Sequence, residues 1–168
     1  MPQKLPVIAN ASPLIALSAV LTDFNVLDRV AARVLIPAEV LEEIRVGRAR
    51  DNTEHLVQAA ACCEVLEPFA TLPAMLTDAL DRGEAAVIHA AMTFGVNLVA
   101  IDELRGRRWA QRLGLELTGS LGLVVQLHRE GVVPSLETAF AAMKAKGIRL
   151  QDRLLQEMLL IAAQSQGT

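Results

Sequence analysis

The chain of 168 residues has no tyrosine, one tryptophan and four phenylalanines. So few rings exclude the RNA-binding modules that stack bases on an aromatic sheet. Basic charge is not in excess either. The net charge of -3 argues against coating nucleic acid by bulk electrostatics, so any such contact must be local. Cysteine is limited to the adjacent pair Cys62 and Cys63, which removes a disulfide framework and a thiolate zinc site. The pair is expected to be buried as small apolar residues in a reducing cytoplasm. His55, His89 and His128 lack metal-ligand spacing. No apolar run approaches the ~20 residues of a membrane span. The stretch after Lys4 is interrupted by Asn10, Ser12 and Pro13, and reads as strand, turn and helix rather than as a secretory signal.

Hydrophobic residues make up 52% of the chain, ample for one core at this length. The most informative stretch is residues 80–103, LDRGEAAVIHAAMTFGVNLVAIDE. Asp81 suits a helix N-cap and Glu84, three residues on, completes a capping-box pattern. Ala85, Val87, Ile88, Ala91 and Met92 recur at helical spacing until Gly95 offers a left-handed stop. Val96 to Ile101 then reads as a strand covered on both faces, ended by Asp102 and Glu103.

Similar punctuation runs through the rest. Val7–Ala9 predicts a first strand, with Ser12 as N-cap and Pro13 as first residue of the helix that follows. Leu14–Val20 and Phe24–Val30 read as short helices, Arg33–Ile36 as a strand ended by Pro37, and Ala38–Val46 as a helix carrying Glu39, Glu42 and Glu43. One of those acids must lie near the apolar boundary. Further on come a helix at Thr53–Cys62, an edge strand at Glu64–Leu66, and a brief helix at Pro73–Leu80. Then follow a helix at Leu104–Leu113, a strand at Glu116–Thr118, and helices at Ser120–Arg129, Ser135–Lys146 and Arg153–Ala163. Strands alternating with helices predict an α/β fold: a mainly parallel sheet of about four to five strands, helices on both faces, and extra C-terminal helices. Residues 1–150 read as the domain, and 151–168 as a helix that completes it or serves as an interaction element. Its Leu154, Leu155, Met158, Leu159, Leu160 and Ile161 are apolar on nearly all sides.

Among α/β chemistries, a dinucleotide site wants a glycine-rich turn after the first strand, where this chain has Asn10-Ala11-Ser12-Pro13. A P-loop is absent, neither Ser12 nor Ser120 sits in a nucleophile elbow, and an acidic phosphoacceptor pocket is contradicted by asparagine at position 10. What remains is a set of oxygen donors: Asn10, Glu43, Glu84, Asp102 and Glu103. Carboxylates held close repel one another, and a hard divalent ion, magnesium or manganese rather than zinc, relieves that repulsion. Arg105, Arg107, Arg108 and Arg112 follow the acidic pair and could meet phosphates, or could simply form a solvated helix face. Thr118 and Ser120, at the end of the last strand, offer hydroxyl or backbone donors to a nucleic-acid backbone, or serve only to cap the next helix.

The ordered segments NASPLI, IPAEVLEEI, LDRGEAAVIHAA, LVAIDE and GLELTGSLG resemble the PIN-domain family over about residues 6–150. They are most similar to short prokaryotic members with an asparagine-serine-proline turn. The resemblance implies a metal-dependent ribonuclease, of the kind found as VapC-like toxins silenced by a neighbour-encoded antitoxin. Glu43, Glu84 and Asp102 fall on three acidic metal-site positions of that family, with Glu103 accessory. Asn10 falls on the fourth, where aspartate is usual, and Ser12 on a small hydroxyl position that orients the site. Arg108 lies nearest a family-like basic position. A neutral Asn10 weakens the ion's hold, so a weakened nuclease or a PIN-like binding module without turnover is the alternative expectation. RNA, an antitoxin and a second copy in a homodimer are the implied partners.

Overall fold

The computed structural model describes residues 3–47 and 52–165. Five strands, β1 (Val7–Ala9), β2 (Val34–Pro37), β3 (Cys63–Leu66), β4 (Leu98–Ala100) and β5 (Glu116–Thr118), form one sheet in the order β3-β2-β1-β4-β5. Every neighbouring pair is parallel, with Val7 opposite both Val34 and Leu98. The α/β expectation holds, and the sheet is wholly parallel. The direction in which strands are added reverses about β1. The first three strands build outward on one side, and β4 and β5 build on the other, so the crevice beyond the carboxyl ends of β1 and β4 is where such sheets bind ligands.

The helices are α1 (Ala11–Ser18), α2 (Ala38–Gly47), α3 (Thr53–Ala59), α4 (Ala74–Thr77), α5 (Arg82–Phe94), α6 (Leu104–Arg112), α7 (Ser120–Arg129), α8 (Leu136–Ala145) and α9 (Asp152–Ser165). Helix α5 packs across β1, β2 and β4 and against α2, burying Ala85, Val87, Ile88 and Ala91 as its periodicity requires. On the opposite face α1 contacts α7, and their Leu14, Leu17 and Leu123 pack near Val7 and Ala9. Ile8, Ile36, Val99 and Ile101 are completely enclosed. Burial on both faces explains why β4 reads as an apolar run instead of an alternation.

The structure revises several boundaries. Helix α1 starts at Ala11 with Asn10 as its N-cap residue, so Ser12 and Pro13 lie inside the first turn. Neither the Asn10 nor the Ser12 side chain is spent on capping: both hydrogen-bond Glu103. Proline is tolerated there because first-turn N–H groups have no intrahelical acceptor. Phe24–Arg29 is a 3-10 helix. Helix α3 stops at Ala59, short of Cys62, because Ala61 N–H donates to Asn25 Oδ1 and Cys62 C=O accepts from Val34 N–H, which draws the segment to the sheet edge. Cys62 and Cys63 are therefore half-buried, not enclosed as expected. Helix α9 packs on α7 and α8. Its Leu155 and Ala162 are buried while Leu154 and Leu160 are exposed, so one stripe suffices for packing. The last three residues of the 151–168 stretch lie outside the described residues.

Candidate functional site

Asn10 leaves β1 at the point of reversal, and its side chain is 2% exposed. Its Nδ2 donates to Glu103 Oε2 at 3.3 Å. Its Oδ1 is buried with no hydrogen-bond partner. An orphaned buried acceptor is costly, of the order of 1–3 kcal/mol. Ser12 Oγ donates to the other oxygen of Glu103. Thus two residues at the start of α1 hold the carboxylate that follows β4.

Glu84 is 3% exposed and joins the site through the helix start the sequence announced. Both arms of the capping box are present: Asp81 Oδ1 accepts from Glu84 N–H at 2.7 Å, and Glu84 Oε2 accepts from Asp81 N–H at 3.3 Å. Glu84 Oε1 also accepts from Gly106 N–H at 3.1 Å, which ties α5 to α6. A β-carbon on Gly106 would lie 2.6 Å from that oxygen and 2.9 Å from Ile101 Cγ2, so only glycine allows the approach. Gly83, the neighbour of Glu84 in α5, permits a second close approach. A β-carbon there would collide with Glu43 Oε2 and lie 3.2 Å from Asn10 Oδ1. The Glu43 and Asn10 oxygens therefore converge on the bare face of Gly83.

The charges on this side are uncompensated. Glu43 occupies an exposed position of α2, yet partial burial of its carboxyl group, and then the charges of Asp81, Glu103 and Glu84, push its pKa up to about 7. Glu84 is raised by burial first and by Asp81 next, against the lowering effect of its two backbone donors. Beside them opens a cleft of ≈ 690 Å³ lined by Glu39, Glu43, Arg45, Asp81 and Gly83 among others. Glu39 is the buried acid of α2, with Oε1 accepting from Phe69 N–H at 3.0 Å.

Asp102 stands apart. Its Oδ1 accepts from Ser120 N–H at 2.8 Å, at the first turn of α7; burial raises its pKa, against the lowering effect of the Ser120 donors and, least, of Arg107. Arg107 Nη1 donates to Ile101 C=O at 2.7 Å and Thr118 C=O at 3.2 Å, clamping the ends of β4 and β5. This second region lines a groove of ≈ 850 Å³ that also includes Ser12, Glu103, Thr118 and Ser120. Of the arginines expected to face phosphate, Arg105 reaches Ala79 C=O at 3.4 Å and Arg108 is exposed, and neither lines the groove. Arg107 does. It lies four residues after Glu103, one helical turn, a spacing that marks it out ahead of Arg108. Asp81 was also legible as more than a cap, since a capping box places both its acids at one helix start.

Asn10, Glu43, Glu84 and Glu103 are thus brought together, while Asp102, Thr118 and Ser120 form the adjoining wall. Among the described residues, no three His, Cys, Asp or Glu side chains meet closely enough to ligate one ion. The donor set nonetheless fits a hard divalent cation: all donors are oxygens, one buried acceptor lacks a partner, and the carboxylates repel each other. Among the described residues no helix is long and apolar enough to cross a membrane. No curated protein matches the chain in sequence. A family model described as PIN domain matches residues 6–164, and PIN domains are in general nucleases that use divalent metals and bind RNA. With nearly its whole length matched, the chain belongs to the PIN-domain family.

Proposed function

We propose that this chain is a metal-dependent endoribonuclease of the VapC-like type, the toxin of a toxin–antitoxin pair acting in the cytoplasm. The observation that carries the reading is the partnerless Asn10 Oδ1, buried against Gly83 beside carboxylates whose protons are held more tightly than usual. Asn10, Glu43, Glu84 and Glu103 would hold Mg²⁺ or Mn²⁺. When bound, the ion supplies Lewis acidity toward a phosphodiester oxygen and lowers the pKa of water.

The residues themselves divide the remaining work. Glu43, with a pKa of about 7, can accept or return a proton near neutrality. Ser12 and Asn10 orient Glu103, and Gly106 N–H orients Glu84. Asp102, with Oδ1 held by Ser120 N–H, borders the approach to the site as it stands, and would join the ligands through its other oxygen on turning toward the cluster. Leu160 and Ile161, adjacent and exposed on α9, are the residues through which an antitoxin or a second copy would make apolar contact.

Purified protein with Mn²⁺ is expected to cut single-stranded RNA, and Glu84→Gln or Glu43→Gln to stop it. Equal cleavage by these variants would reject the assignment. A second reading, a binding module without turnover, is favoured by neutral Asn10 and by the engagement of Asp102 with Ser120. Absence of calorimetric heat with Mn²⁺ or Mg²⁺, together with tight binding of a small neighbour-encoded protein, would select it.

A further inference from the structure

The groove beside Asp102 is roofed by a segment the proposed chemistry does not use. Residues 147–151, between α8 and α9, form one wall with Ile148, Arg149 and Leu150, and α9 adds Leu154 and Met158. The wall is held at both ends. Gly147, at φ 88°, turns the chain off α8 while Ile148 N–H donates to Met143 C=O, and Lys144 Nζ meets Asp152 Oδ1 at 2.7 Å across the turn. Arg149 is exposed on this wall and makes no ion pair among the described residues. Arg107, opposite, is committed to two carbonyl groups.

We propose that this groove carries the RNA strand running away from the scissile phosphate, with Arg149 as its phosphate contact; the inference rests on the nuclease reading above. Three observations favour RNA as the occupant. The groove is continuous with the site, since Ser12 and Glu103 lie in its lining. A polyanion approaching a carboxylate cluster on a chain of net charge -3 needs a local cation, and Arg149 supplies one whose guanidinium fork matches phosphate. Ile148, Leu150, Leu154 and Met158 give base faces an apolar surface without requiring aromatic rings. Arg149 is a positioning residue for the strand and takes no part in bond cleavage.

The test compares KM and kcat of the full chain with Mn²⁺ on an RNA of about ten nucleotides and on a dinucleotide, for wild type, Arg149→Ala, Arg149→Lys and Arg149→Glu. Arg29→Ala, outside the groove lining, is the control. For Arg149→Ala, KM on the longer RNA is expected to rise roughly five- to tenfold, with kcat within about twofold of wild type. Arg149→Glu should lose more and Arg149→Lys less, while the dinucleotide and the control should not respond. The slope of log affinity against log salt should fall by about 0.7, the value for one phosphate on a single strand. Wild-type KM in a folded Arg149→Glu variant, while the parent cleaves RNA, would overturn the inference and leave the nuclease reading standing. Loss of a dimer in that variant with unchanged KM would assign the groove to protein instead. A parent that neither binds nor cuts RNA removes the nuclease reading, and the groove proposal with it.

Discussion

Burial raises the acids in both halves of one crevice, but the two halves surround them differently. On the β1 side, Glu43 and Glu84 crowd with Asp81 and Glu103 around an acceptor that nothing satisfies, and the pKa values of Glu43 and Glu84 are raised. On the β5 side, Asp102 is supplied with a backbone donor and a neighbouring arginine, and the groove extends to a second arginine at position 149. The first half is electrostatically incomplete and suits a cation. The second offsets part of the effect of burial on Asp102 with a donor and a cation, and its exposed Arg149 suits a polyanion. Under the proposed function, separation of this kind would let one small rim attract both a metal and the phosphate chain it acts on, without either half cancelling the other.

The sharpest way to break this comparison is to neutralise one acid in each half. Glu43→Gln and Glu84→Gln are each expected to lower Mn²⁺-dependent RNA cleavage by more than about 100-fold, because even removing the partner of a metal ligand costs about 10- to 100-fold. Their Mn²⁺ titration heat should disappear as well. Asp102→Asn should retain most of that heat, since Asp102 is turned to Ser120; its loss would mean that Asp102 swings into the cluster when the ion arrives. Asn10→Asp sharpens the same contrast. It removes the donor to Glu103 and adds a buried charge, so the metal-free protein should melt lower while Mn²⁺ raises the melting temperature further than in wild type.

Smaller effects test the packing and the charge balance. Gly106→Ala is expected to destabilise by about 1–3 kcal/mol in urea unfolding, through its clash with Glu84 Oε1 and Ile101. Across pH the metal-free protein should lose stability as pH rises from about 4.5 to about 7, since native Glu43 holds its proton through a range in which the unfolded chain releases it. Glu43→Gln or saturating Mn²⁺ should flatten that melting curve. Asp81→Asn is the mildest probe. Asparagine caps a helix as well as aspartate does, so stability should stay near wild type while the pH transition moves downward as one repelling charge is lost.

The sheet was legible because its strands are short apolar runs bounded by charge, glycine or proline, and α5 because its capping box and glycine stop are local signals. Boundaries were misread where tertiary demands overrode local ones. Asn10 and Ser12 have the chemistry of caps, but Glu103, far away in sequence, claims both side chains. Thr53–Cys62 has helical composition, but the sheet edge takes its last residues. In the site, Asn10, Asp102 and Glu103 could be picked out by type and by position after strands, and Glu84 by its capping box. What could not be read was the division between them, because the turning of Asp102 toward α7 depends on a backbone N–H that every residue except proline possesses.

Glu84 is a strap as well as an acid, since its two oxygens fasten the start of α5 and the first turn of α6. On the proposed function, a substitution at this position would therefore slacken the scaffold along with the chemistry. Glu43, which no hydrogen bond among the described residues anchors, is on that proposal the better choice for an inactive form meant to keep its native shape in cells or in co-purification with the proposed silencing partner.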